Sequence, residues 1–417
     1  MNLATEILGN AGRLLLEYNE STGEIHRTLE ATSRALTAEK CDVVVSYGGV
    51  AVSLNVNGPL LMPVRELRYN AALQTRVHSI LSRVCGGELE PSTALAQLKR
   101  VEADTPRHSR WLAVLLLGFA AAGLAGLLGA DAGAVMMAGL STGLGLFARQ
   151  QLGIRHFNLF TLPLTAAFIG AALGGLAIRL GWTHTPGLVL IVPSLMLIPG
   201  PHFINGSLDL VDNFIPMGLA RLGLATSILV ASALGIVAGI ELTLPAIPLA
   251  EQTVSTDHLN VFSDMILAGI VTIGFAVFYN TAWPQVGLAT AGGMIGHGLR
   301  FLALEAGWRL EVATFVGGLA VGVVSALIAR SYKLPIAVIS FAGAVTMMPG
   351  IQIYRALAGS LQLIRLQDKI ELPAIARTLG DALQACLVVA ALALGLIIAA
   401  RVVPMLAGPQ GTPASKG

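Results

Sequence analysis

Two short stretches of the chain set a helix-breaking Pro-Gly pair beside a run of polar side chains inside otherwise apolar sequence. The first runs Pro199-Gly200-Pro201-His202-Phe203-Ile204-Asn205-Gly206-Ser207-Leu208-Asp209, with Asp212 close behind. The second runs Thr346-Met347-Met348-Pro349-Gly350-Ile351-Gln352-Ile353-Tyr354-Arg355. Proline lacks a backbone donor and glycine has little helical preference, so each pair frees main-chain amides and carbonyls. In apolar surroundings those groups must be met by protein, water or a solute. The imidazole, amide, hydroxyl and carboxylate of His202, Asn205, Ser207 and Asp209 are groups that can hold an amine and a carboxylate together. Thr346, Gln352 and Tyr354 extend the same chemistry, and the Arg355 guanidinium suits a carboxylate in bidentate fashion. The plainer alternative is a kinked helix whose polar end rests at an interface.

Other ionisable residues divide by position. Carboxylates inside a membrane span are costly and often mark proton or ion routes. Asp209 and Asp212 adjoin the first break and are taken as candidates for the pathway and for proton coupling. His297 lies in an apolar run between Gly296 and Gly298; it is either a packed histidine or a proton carrier. Glu241, Asp264 and Asp381 lie near span ends, where a solvated carboxylate costs little, and are taken as structural. Arg179 and Arg300 sit at helix ends and are expected to snorkel. No HExxH or GxxxxGK[ST] occurs, so zinc-protease and ATP-driven chemistry lack their usual motifs, and no enzyme is expected. Cys41, Cys85 and Cys386 form no CxxC or metal spacing; no metal, cofactor or disulfide framework is expected.

The elements that must position these residues are largely apolar. Of 417 residues, 54% are hydrophobic and only 12% charged, with mean hydropathy +0.73. Soluble domains carry about 25% charged residues, so lipid is the solvent for most of this chain. A net charge of +2 with no basic block excludes a nucleic-acid partner. The fold class expected is an all-α membrane protein of about ten transmembrane helices in two five-helix inverted repeats, with a small N-terminal α/β soluble domain.

That domain spans residues 1–108. Helical periodicity covers Leu3–Tyr18 and Glu24–Leu36. Two β-rich runs over Asp42–Leu54 form a hairpin turning at Gly48-Gly49. A long helix is expected over Val64–Cys85, stopped at Gly86-Gly87, and a short one over Pro91–Val101. Met1–Asn19 has acidic residues and no continuous apolar core, so it is not a signal peptide, and the domain is expected in the cytoplasm.

The first membrane half, 109–245, is expected to hold spans near Trp111–Gly129, Ala132–Ala148, Leu159–Leu180, Pro186–Ile204 and Leu222–Leu242. A linker, 246–260, follows. The second half, 261–403, holds spans near Val261–Ala282, Gln285–Leu304, Val312–Ala329, Leu334–Ile353 and Leu379–Val403. The Gly/Pro/Ser-rich tail 404–417 is expected to be disordered. An odd number of spans per repeat inserts the second copy from the opposite side, and the matched breaks fall in the fourth span of each half, the plan of many secondary transporters. Arg149, Arg155, Arg221, Arg330 and Lys333 then lie in interior loops, as the positive-inside rule prefers. Arg355, Arg365, Lys369 and Arg377 fall outside against that rule; a re-entrant segment in the second half would move them inside.

The chain resembles the threonine/serine exporter family over nearly its whole length. The head is similar in Leu14-Leu-Leu-Glu17, in Ala35-Leu36, in Val45-Ser-Tyr-Gly-Gly-Val-Ala-Val-Ser-Leu54 and in Gly86–Leu98. The first membrane half is similar at Ile198-Pro-Gly200, Asn205, Asp209 and Gly218-Leu-Ala-Arg221. The second is similar at Ala326–Arg330, Lys333-Leu-Pro335, Met348-Pro-Gly350 and Tyr354-Arg-Ala-Leu357. The resemblance implies a multi-pass protein of the cell's inner (plasma) membrane that exports small hydroxy amino acids, driven by the proton gradient or the membrane potential. Relatives with the two halves on separate chains are associated with dicarboxylate (succinate) export, which leaves that substrate as an alternative. A membrane-anchored sensor or enzyme, with the head as the active part, is the alternative of another class. The expected partners are a small polar metabolite, protons as coupling ion, membrane lipid and a second copy of the chain. Two stretches depart from the family pattern: Asn19–Arg27 in the head and Pro201-His202-Phe203 after the first break.

Overall fold

A computed structural model describes residues 2–54, 57–244, 259–332, 334–366 and 371–406. The head begins with helix α1 (Leu3–Glu17), whose first turn is capped by the Asn2 side chain, and α2 (Thr22–Thr37), capped by Ser21. Strands β1 (Asp42–Ser46) and β2 (Gly49–Leu54) form the hairpin expected from Gly48-Gly49, with Ser46 opposite Gly49. A Cβ on Gly49 would stand 2.5 Å from the Met62 carbonyl oxygen, so position 49 admits no side chain. A third antiparallel strand, β3 (Asn57–Pro63), completes the sheet in the order β1-β2-β3. Sequence reasoning did not find it: Gly58 and Pro59 are poor strand residues, tolerated at an edge.

Helix α3 covers Ala71–Cys85 and α4 covers Pro91–Asp104. The helix expected from Val64 therefore starts seven residues late. The segment 64–70 is instead drawn out by main-chain bonds from Val64 N to Gly48 O and from Arg68 N to Glu17 O, and Asn70 then caps α3. The expected stop holds: Gly87 has φ +70. Leu8, Leu15, Leu29, Val50, Val77 and Leu98 are buried together between the helices and the sheet.

Beyond the head the chain is helical. The first half comprises α5 (Arg110–Leu127), α6 (Ala132–Ile154), α7 (Thr161–Arg179), α8 (Pro186–Leu195), α9 (Gly200–Val211) and α10 (Ile215–Thr243). The second comprises α11 (Val261–Phe278), α12 (Trp283–Glu305), α13 (Leu310–Tyr332), α14 (Ile336–Ala344) with a 3-10 turn over Val345–Met347, α15 (Gly350–Leu366) and α16 (Leu372–Leu406). Among the described residues, seven helices are long and apolar enough to cross a membrane, or up to nine if each bent pair counts as one span. The bent pairs are α8 with α9, at 61°, and α14 with α15, at 53°. The expected span Pro186–Ile204 is thus two short helices meeting at the first Pro-Gly. α12 has 23 residues but falls short in apolarity; it carries His297, Arg300 and Glu305.

Two boundaries change how residues are read. α10 begins at Ile215 rather than Leu222, with Pro216 in its first turn, so Arg221 sits inside a helix and is fully buried instead of lying in a loop. α16 begins at Leu372 rather than Leu379, which places Arg377 on the helix and moves Asp381 from its start to its third turn. Most of the linker (245–258) and of the tail (407–417) lies outside the described residues.

The packing partners repeat between halves. α7 packs on α6, α8 and α10, while α13 packs on α12, α14 and α16. α9 lies on α10 as α15 lies on α16, and α5 meets α11 between the halves. Small residues let these helices touch through their backbones. A Cβ on Gly239 of α10 would stand 2.6 Å from the Phe168 carbonyl oxygen of α7, and one on Gly395 of α16 would stand 2.6 Å from the Phe315 carbonyl oxygen of α13.

Candidate functional site

The two breaks share a local geometry and meet. Pro199 and Pro349 interrupt the helical ladder, and Gly200 N donates to Ile198 O at 2.8 Å just as Gly350 N donates to Met348 O at 2.8 Å. A Cβ on Gly200 would lie 3.2 Å from Val345 Cγ2 and 3.5 Å from Met348 Cε, and one on Gly350 would lie 2.9 Å from Leu195 Cδ2. Each break therefore packs against the residues preceding the other. A side chain at either glycine would push the facing Val345, Met348 or Leu195 side chains aside.

Beside this contact lies a cavity of about 1100 Å³. Its wall includes Thr346, Pro349, Gly350, Gln352, Tyr354 and Arg355 from the second break. Thr346 is turned partly inward, its Oγ1 donating to Gly343 O at 2.9 Å. From the first half the cavity receives apolar groups, among them Leu195 and Ile198.

Asn205 and Asp209, after the first break, face the head instead. Asp209, fully buried, accepts from Thr22 N at 2.8 Å and from Thr22 Oγ1 at 3.0 Å. Arg221 Nε lies 3.2 Å from Asp209 Oδ2, and Arg221 Nη2 donates to Glu20 O at 2.5 Å. Asn205 Nδ2 donates to Asn19 O at 2.5 Å. Asp212 pairs with Arg401 of α16, and His26 of the head stacks on Phe214 at 5.1 Å. His202 and Ser207 are half-buried on α9. Pro199 and Gly200 hold the bend itself. The candidates near the first break thus separate into a backbone turn that meets the second break and a polar face that seats the head.

Behind the seat, Glu20 Oε2 lies 3.2 Å from His78 Nε2, and Glu20 Oε1 accepts from Ser21 N at 3.0 Å. Burial works against charging Glu20, but the His78 hydrogen bond and charge outweigh it and hold the carboxyl below its usual range. Burial likewise opposes charge on His78, and Glu20 outweighs it, leaving the imidazole raised above its ordinary value.

The head also grips the second half. Tyr69 lies against the Tyr279 and Phe341 rings and its hydroxyl reaches Ala337 O at 3.4 Å. Asn280 Nδ2 donates to Asn70 Oδ1 and to Pro106 O, both at 2.9 Å, and its Oδ1 accepts from His108 N at 2.9 Å. The C-terminal end of α11 is therefore the head end. Asp264 precedes Asn280 by sixteen residues, about 24 Å of helix at 1.5 Å per residue, and so marks the far end.

At that far end Asp264 Oδ2 stands 2.6 Å from His297 Nδ1, and Arg300 Nη1 is 3.5 Å from His297 Nε2. Arg300 Nε donates to Thr314 Oγ1 at 3.2 Å. All three charged or titratable groups line the cavity. The sequence singled out His297 alone. Asp264 and Arg300 sit near span ends, and nothing local shows that α11 and α12 bring them to the ring. Glu20, His78 and Arg221 were missed in the same way, although Arg221 closes the Gly218-Leu-Ala-Arg221 motif.

The threonine/serine exporter family model matches residues 6–243, and a second model, described as Threonine/Serine exporter, ThrE, matches residues 264–402. No solved structure matches the chain. The head, both breaks and the far-end cluster fall within the matched segments, and on that footing the chain belongs to the threonine/serine exporter family.

Proposed function

We propose that the chain is a secondary-active exporter of small hydroxy amino acids, threonine and serine, driven by the proton gradient or the membrane potential. The observation that carries this reading is the meeting of the two Pro-Gly breaks beside a cavity of about 1100 Å³, in a chain whose family is a transporter family. Broken helices at a repeat interface near mid-membrane are where secondary transporters bind their solutes. The parallel packing of α7 with α6, α8 and α10 and of α13 with α12, α14 and α16 supports two inverted repeats. Counting α12 and each bent pair as one span then gives about ten spans. With the head in the cytoplasm, the cavity lies on the outer side of the breaks. The inner side is closed by the head, seated on Asp209 and Arg221. Thr346, Gln352, Tyr354 and Arg355 are the second break's contribution to substrate contact. Asn205, Asp209 and Asp212 belong to the pathway through the inner closure.

Radiolabelled efflux from inner-membrane vesicles or cells lacking other exporters tests the reading. Expression should raise threonine and serine efflux, and a protonophore should lower it. Unchanged efflux of both would refute it. A second reading, dicarboxylate export, is favoured by one observation: Arg300, Arg355 and Arg377 all line the cavity. Competition between succinate and threonine in proteoliposomes separates the two.

A further inference from the structure

Asp264, His297 and Arg300 stand apart in the sequence, yet two helices, α11 and α12, assemble them at the cavity wall. Asp264 is 3% exposed and His297 5%, so water from the bulk meets neither except through the cavity. The short Asp264–His297 contact places the imidazole Nδ1–H on the carboxylate. The ring's other nitrogen faces Arg300 at the outer limit of a hydrogen bond, while Thr314 of α13 holds Arg300 by its Nε. Arg300 itself lines the cavity. The remaining charged groups on that wall are Glu305 at the end of α12, Arg355 of α15, and Arg377 and Asp381 of α16.

We infer that this trio is the substrate-and-proton seat: Arg300 takes the carboxylate of an α-amino acid, and Asp264 takes in turn either the protonated His297 or the amino acid's ammonium. The inference deepens the export reading and rests on it. With Arg300 paired to the substrate carboxylate, Asp264 is the one carboxylate left in a closed, apolar-backed corner, and imidazolium and ammonium together would compete for it. When the ammonium arrives, the imidazolium gives its Nε2 proton to cavity water and stays neutral; when the amino acid leaves, the ring takes a proton back. Only the ring N–H and an O–H of the accepting water change. Because both cations use the same carboxylate, amino acid and proton exclude each other, which is the linkage an exporter running against inward proton flow requires. By reciprocity each weakens the other's binding by the same factor, on the order of tenfold. A dicarboxylate has no ammonium. It would load Arg300, leave Asp264 to the imidazolium, and bind together with the proton.

The test is equilibrium binding of labelled serine, threonine and succinate to the full chain in lipid nanodiscs across the histidine range. Wild-type affinity for the amino acids should fall on the order of tenfold between about pH 8 and about pH 5.5. His297→Gln should abolish that slope, and Arg300→Gln should weaken binding at every pH. Thermal unfolding in the same nanodiscs identifies variants that have kept their fold, and Arg300→Lys serves where the glutamine variant has not. A wild-type slope in His297→Gln, or wild-type affinity in a folded Arg300 variant, overturns the inference. If succinate binds and the amino acids do not, the export reading has the wrong substrate. The seat then stands on succinate affinity rising as pH falls and losing that slope in His297→Gln, and it falls if succinate affinity ignores His297.

Discussion

Asp209 and Arg221 form an ion pair with both side chains almost wholly withdrawn from solvent, 1% and 0% exposed. A buried pair contributes little compared with a well-packed apolar one, but breaking it from one side strands a charge and costs about 3–5 kcal/mol. Asp209→Asn keeps an acceptor for Thr22 yet removes the counter-ion of Arg221. It should lower the thermal midpoint of the full chain clearly and impair transport. Glu241→Gln, at an exposed position near the end of α10, should stay within about 0.5 kcal/mol of wild type. Equal midpoints and equal transport in the two variants would contradict the assignment. Glu20 and His78 give a second prediction, in pH. Glu20's depressed carboxyl contributes stability above its ordinary value of about 4.3, lost as acid titrates it in the folded state. His78's raised imidazole contributes stability fully present below about pH 6.5 and lost as pH climbs through its folded value. The seat should therefore hold best in the mildly acid range and loosen on the alkaline side. Thermal unfolding against pH should show that alkaline loss, and His78→Gln should flatten it.

The breaks were legible because a Pro-Gly pair in apolar sequence announces itself without any knowledge of packing. Their consequence follows from the structure: Pro349 stands between the 3-10 turn Val345–Met347 and α15, and the 53° bend follows it. Pro349→Ala restores a donor that lets the ladder run on, so this variant should insert normally and lose export several-fold in an efflux assay. Normal efflux would mean that the bend serves packing alone. The hairpin, α1, α2 and the stop of α3 were equally legible, since glycine turns and amphipathic periods are local signals. What the sequence hid is long-range. β3 carries Gly58 and Pro59 and lacks strand character. The start of α3 is set by main-chain bonds to Gly48 and Glu17, distant in sequence. The Asp264–His297 pair spans 33 residues and exists only because α11 and α12 pack. The split of the first break's polar residues, with Asp209 turned to the head and the bend turned to the cavity, depends on a docking partner nearly 190 residues away.

At the scale of the whole molecule, the head touches both halves at one end, and Asp264, His297 and Arg300 line the cavity toward the other. Residues 19–22 lock onto α9 and α10, while Tyr69, Asn70 and His108 hold the end of α11 and the loop after it. A transporter that exposes its site alternately must open a closed end at some stage, and on the export reading the head straddles that closure. Any rocking of one half against the other then requires the head to release at least one grip. His26 and Phe214 stack across the first grip at 5.1 Å, and neither lines the cavity. In a chain with Cys41, Cys85 and Cys386 replaced, His26→Cys with Phe214→Cys can be bridged by a short bifunctional thiol reagent. Bridging should stop serine and threonine counterflow in proteoliposomes, and reduction should restore it. The single-cysteine chains, treated alike, should not respond. Undiminished counterflow in the bridged protein would show that the head rides on the first half throughout the cycle and that the closure opens elsewhere, leaving the grip on Asn280 as the one that must yield.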